Sequence, residues 1–213
     1  MMRLLTIPIG TFLLWLMVFM TGCTLTRPVS DPTRFYILEA LEPQPAAESR
    51  EDATGFEGLA VGLRRVQLAD YFNTPAIVVR TGENTLRYSN FNRWAEGLDR
   101  GTARILRESL RHHPAVASVL LFPEASREPV KYEVEVFLAL CEAVEKPDGE
   151  GAFRFAADWK IYETERRAMV SRGEFTREGN WEPGDYAAFA RSVSGACAEL
   201  GRKIGREIGE MEE

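Results

Sequence analysis

Two runs of strict alternation constrain this chain more than any other feature. In Tyr132-Glu133-Val134-Glu135-Val136 apolar and acidic residues take turns, and Phe153, Phe155, Ala157, Trp159 and Ile161 alternate with Arg154, Ala156, Asp158, Lys160 and Tyr162. Strand side chains point to opposite faces with a period of two, so each run is a strand with one dry and one wet face. Lys146-Pro147-Asp148-Gly149-Glu150-Gly151 supplies a turn between them, and a third strand is predicted over about Ala168 to Thr176. Strands joined so closely form an antiparallel meander.

Two other segments carry the helical period. Leu98, Thr102, Ile105, Leu106, Ser109 and Leu110 share one side of a helix that Asp99 can cap and that His112, His113 and Pro114 close. Phe189, Val193, Cys197, Leu200, Ile204 and Ile208 make a stripe along a helix starting near Asp185. Shorter strands are predicted at Arg34 to Leu38, from Gly58 to Val66 with the parity slipping at Arg64-Arg65, and at Val116 to Phe122. Ala76 to Arg80 and Leu86 to Asn90 flank Thr81-Gly82-Glu83-Asn84-Thr85 as a hairpin. Several half-wet strands and only two long amphipathic helices imply a two-layer α+β fold: a largely antiparallel sheet with both helices on one face.

The amino terminus has a different chemistry. Arg3 precedes an apolar run from Leu4 to Met20, and Thr21-Gly22 stand immediately before Cys23. A basic end, an apolar stretch and small residues make a secretory signal peptide, and the cysteine in the last position is the mark of a bacterial lipoprotein. The run is short for a bilayer crossing and is interrupted by Pro8 and Gly10. The expected processing adds a diacylglycerol to the Cys23 thiol, cuts after Gly22 and acylates the new amino group. Two or three acyl chains make a firm anchor where one is marginal. The expected organisation is therefore a signal peptide over 1–22, a lipidated terminus and extended tether over 23–33, and one domain over 34–213. No cofactor is expected beyond the covalent diacylglycerol and N-acyl chain on Cys23.

Charge and motif content narrow the function. Arg3 is the only charge in residues 1–22, so its removal takes the formal balance from −6 to −7, the wrong sign for nucleic acid or a polybasic docking patch. Phosphate-binding glycine loops, nucleophile elbows and paired-cysteine metal spacings are all missing from the sequence. The two histidines, His112 and His113, sit at a predicted helix C-terminus where the dipole favours them. The reading is a protein that is not an enzyme and has no metal site.

Three features remain open at this level. Gly201, Gly205 and Gly209 recur every four residues in line with Cys197, which fits close packing against the domain's own sheet, a fraying end, or contact with another subunit. Cys141 is out of step with the dry face of its strand while Cys197 faces the core, which argues against a disulfide between them unless a bulge intervenes. Tyr71, Phe72, Phe91, Trp94 and Trp181 fall in or beside predicted loops; most should plug the ends of the sheet layer, and any cluster left exposed would mark a partner or lipid surface.

A lipobox followed by Thr33-Arg34-Phe35-Tyr36-Ile37-Leu38, Val61-Gly62-Leu63, Tyr71-Phe72, Pro75-Ala76-Ile77-Val78-Val79-Arg80-Thr81-Gly82 and Arg93-Trp94-Ala95-Glu96-x-Leu98 resembles the ABC-type transport auxiliary lipoproteins of the PqiC type. The resemblance implies a periplasm-facing accessory protein whose partners are MCE-domain or ABC transporter subunits of a lipid transport system between the inner and outer membranes. It also allows a homo-oligomeric ring docked at the end of a lipid conduit. The alternative is a carrier holding a lipid between helices and sheet. Thr24, where aspartate would signal inner-membrane retention in enteric bacteria, favours the outer membrane. Beyond Cys23, the segments that match the family give Tyr71, Phe72, Arg93, Trp94 and Glu96 as candidates for partner docking.

Overall fold

The longest strand organises everything else. The computed structural model describes residues 30–39, 58–122 and 129–213, with a compact unit over Thr33–Glu213. In chain order the elements are β1 (Arg34–Tyr36), β2 (Leu59–Leu63), β3 (Gln67–Leu68), a 3-10 turn at Asp70–Phe72, β4 (Ala76–Gly82), β5 (Thr85–Trp94), α1 (Leu98–Arg111), β6 (Val116–Leu121), β7 (Tyr132–Glu145), β8 (Gly151–Glu163), β9 (Ala168–Asn180) and α2 (Tyr186–Glu210). One edge of β7 pairs along its whole length with β8, and β8 pairs with β9, forming the predicted meander. Its other edge is shared end to end by three short parallel partners: β2 from Tyr132 to Val134, β3 at Phe137 and Leu138, and β4 at Ala143 and Val144.

The sheet is thus mixed. Its long pairings, β4–β5, β7–β8 and β8–β9, are antiparallel, and its short ones, including β1–β5 and β2–β6, are parallel. Most of these strands are legible in the sequence, but their parallel pairing is not, because the partners lie far along the chain.

A bulge at Ala139 resolves the parity of β7. Leu138 pairs with Ala157 and Leu140 with Ala156, so the extra residue moves the dry face from even to odd positions and turns Cys141 into the core opposite Phe155. Cys141 and Cys197 are both buried and both free thiols. Burial pushes each thiol well up, Cys197 to about 12, so neither is a ready thiolate nucleophile.

The helices cover the dry face, α2 over β8 and β1, with α1 beside it next to β6. Phe189 of α2 sits at the centre, its ring 5.9 Å from Phe153, 6.0 Å from Trp94 and 6.3 Å from Trp181. Leu106, Leu138, Ile161 and Leu200 are likewise sealed from water. Asp185 caps α2, accepting from the Ala188 amide at 2.8 Å. Asp99 does not cap α1. The helix begins two residues earlier than such a cap would set it, with Gly97 at the cap, and the Asp99 carboxylate, inside the first turn, accepts from Arg65 at 2.9 and 3.1 Å.

Candidate functional site

The five residues singled out for docking divide between two places. Phe72, Trp94 and Glu96 line a groove of about 320 Å³ where the 3-10 turn, the end of β5 and the start of α1 meet, together with Asn73, Thr74, Pro75, Asp99 and Arg100. Tyr71 packs its ring 4.1 Å from that of Phe72 and extends its hydroxyl to β7 at Ala139, whereas Arg93 lies on the sheet face opposite the helices.

Local chemistry explains the first group. Phe72 and Trp94 are buried, and the Trp94 amide donates to Pro75 at 2.7 Å while the next amide, Ala95, donates to Tyr36 at 2.8 Å. The Glu96 carboxylate accepts from Arg104 at 2.5 Å, and the same guanidinium donates to the Leu38 carbonyl at 2.6 Å. The Arg93-to-Glu96 segment is therefore a clasp joining β1, β5 and α1. Its tryptophan and glutamate hold the groove's wall in shape and leave its rim to Asn73, Asp99 and Arg100.

On the open face, Tyr71 caps a buried ion pair. Arg80 grips Glu142 with two hydrogen bonds, 2.6 and 3.0 Å, and Glu142 is only 1% exposed. Both carboxylate oxygens are occupied, so this group holds the β4–β7 seam together. The Tyr71 hydroxyl donates to the Ala139 carbonyl at 3.3 Å, filling the bulge, and Tyr88 donates to the Tyr71 carbonyl at 3.3 Å. Burial, and next the nearby Glu142 charge, raise the Tyr71 phenol above its ordinary value.

The glycine ridge receives the C-terminal half of α1 and the His113 that follows it. A Cβ on Gly201 would lie 2.6 Å from the Ser109 Cβ, one on Gly205 3.2 Å from the His113 Cβ, and one on Gly209 would collide with the His113 ring. The glycines let two helices cross closely, and His113 is the side chain laid into the cradle. Its Nδ1 accepts from the Ala115 amide at 3.3 Å, and His112 approaches Glu108 at 3.6 Å one helical turn back. Cys23 lies outside the described residues. Among those described, no group of three or more histidine, cysteine or acidic side chains could hold a metal ion, and no helix is long and apolar enough to cross a membrane.

One cluster escaped the sequence. Tyr36 and Trp94 face the helices, so their neighbours Phe35 and Arg93, which are register partners, face away, as does Phe91 two residues before Arg93. Phe35 is 65% exposed, Phe91 52% and Ile37 47%. Phe91 is one of the aromatics beside a predicted loop, but the three residues of β1 are too few to show which side Phe35 and the following Ile37 take.

The profile of the family described as ABC-type transport auxiliary lipoprotein component matches residues 36–205. The chain belongs to this family. Solved structures agree on the fold: a Xanthomonas campestris protein superposes with a TM-score of 0.60 at 15% identity, over 70% of this chain and 82% of that one. An uncharacterized protein superposes with a TM-score of 0.61 at 16% identity, over 83% of this chain and 98% of that one. No curated protein matches the sequence. Membership makes the chain a transport auxiliary lipoprotein of the cell envelope.

Proposed function

We propose that this lipoprotein is a non-catalytic accessory subunit of an ABC/MCE-type lipid transport system between the inner and outer membranes, anchored at the periplasmic face of the outer membrane through acyl chains on Cys23. The observation that carries the reading is the family match beginning at residue 36, a short tether's length beyond a lipobox cysteine. The spent chemistry of the polar groups supports a non-catalytic role: Glu142 is taken up by Arg80, and Glu207 by Trp159 and Ser171. Against a carrier that stores lipid between helices and sheet stands the filling of that layer by Phe153, Phe155, Phe189, Leu106, Leu138 and Leu200. The groove at the start of α1 is the place this reading gives to a transporter subunit, and a ring of copies is compatible with it.

The test is made in cells. Wild-type protein should incorporate labelled palmitate and Cys23→Ser should remain uncleaved and unlabelled. A photocrosslinker at Arg100, on the rim of the groove, should capture an MCE-domain or ABC transporter subunit. Labelling of Cys23→Ser would overturn the anchor, and capture of no transport component would overturn the docking role.

A further inference from the structure

We propose that the outward side of the β1–β5 edge is a membrane contact, with Phe35, Ile37 and Phe91 seated in the bilayer interface and Arg93 against lipid phosphates. This rests on the lipid anchor of the proposed function and adds to it an orientation of the domain.

Composition is the first argument. Two phenyl rings and a branched aliphatic chain stand about half or more exposed on one small patch, where an aqueous surface would carry polar groups. Arg93 is the register partner of Phe35 and is the patch's own cation; it makes no ion pair among the described residues. Three other arginines of the open face are neutralised, Arg64 by Glu133 and Glu135, Arg80 by Glu142 and Arg154 by Glu178, while Arg172 stands beside Lys160 with no aromatic patch around it. Aromatic rings with an adjacent guanidinium suit the bilayer's interfacial layer, where the rings reach the acyl boundary and the fork of donors meets phosphate.

Covalent reach is the second. β1 is the first strand after the tether, and the ten residues from 24 to 33 span at most about 35 Å when fully extended. The patch cannot travel far from the surface to which Cys23 is fixed. A tether this short converts surface contact into an intramolecular event at high effective concentration, so a patch too small to bind a membrane alone is enough to orient a tethered domain. Met169 and Val170 are also exposed and apolar, but they sit on β9, at the edge of the sheet away from β1. They provide an internal control for hydrophobicity without proximity.

The experiment uses the mature lipidated protein in vesicles of phosphatidylethanolamine and phosphatidylglycerol. Nitroxide labels are placed at Phe35→Cys, Phe91→Cys and Met169→Cys, the native Cys141 and Cys197 being buried and the Cys23 thiol acylated. Accessibility to oxygen relative to a water-soluble nickel chelate should be severalfold higher at 35 and 91 than at 169. Equal, water-like accessibility at all three positions in protein that stays on the vesicles would overturn the contact and leave the anchor standing. Release of the lipidated protein from the vesicles would overturn the anchor, and the contact with it. Strong spin–spin broadening between copies at position 35, without oxygen contact, would make the patch an interface between copies and would equally overturn the proposal.

Discussion

The open face of the sheet is built in two ways. Around β7, β8 and β9 it is a lattice of charges, with Arg64 spanning Glu133 and Glu135 at 2.6 and 2.7 Å, Arg154 facing Glu178 at 3.4 Å, and Asp158 and Lys160 opposite Glu174 and Arg172. Around β1 and β5 it presents Phe35, Ile37 and Phe91 with Arg93, which makes no ion pair among the described residues. The same backbone surface is finished for water at one end and for something less polar at the other, and the less polar end is the one nearest in sequence to the anchor. Between the two lies Glu142, on the open face by parity yet sealed beneath Arg80 and Tyr71.

That intermediate position gives the largest expected effect. Glu142→Ala should destabilise the domain by about 2–4 kcal/mol, because it empties the buried carboxylate position and removes two charge-assisted bonds across the β4–β7 seam, whereas Glu133→Ala in the exposed lattice should cost at most about 1 kcal/mol. Urea midpoints compare them directly, and equal losses would mean that water reaches the Arg80–Glu142 pair. On the covered face, Gly201→Ala should cost about 1–3 kcal/mol through collision with Ser109. Ser109→Gly in that background should recover part of the loss; strictly additive losses would place the strain elsewhere. Smallest of all, Phe35→Ser combined with Phe91→Ser should leave thermal stability within about 0.5 kcal/mol of wild type, since neither ring supports the core. A loss of several times that size would show that the domain itself covers them.

The sequence made half of this legible and hid the rest for definite reasons. The meander and both helices follow from periodic patterns that run long enough to be read, as with Phe153 to Ile161 and Phe189 to Ile208. The facing of Cys141 was hidden because one inserted residue, Ala139, reverses parity without leaving any mark in composition. Asp99 carries the right chemistry for a cap, but Gly97 precedes it with extended backbone angles and takes the position. For the candidate site, Phe72, Trp94 and Glu96 were found by motif and prove to share a groove. Arg93, next to Trp94 in β5, points to the other side, since neighbouring residues of extended chain face opposite ways, while Tyr71, in the 3-10 turn, keeps its ring 4.1 Å from that of Phe72 and sends its hydroxyl to Ala139. The glycine spacing announced a close approach but could not name α1 as the partner, because contact between distant segments is a property of topology.

The three short strands laid along one edge of β7 also set an order of assembly. β2, β3 and β4 precede Tyr132 by some fifty to seventy residues, yet each completes its ladder only against β7. A polypeptide exported with its amino end leading therefore presents Val61, Leu63 and Ile77 to Val79 before their template has crossed, while the β7–β8–β9 meander closes by local contacts as soon as it emerges. The meander that begins at β7 is the mould on which β2, β3 and β4 set, and the interval between their arrivals is when this protein is most open to misassociation.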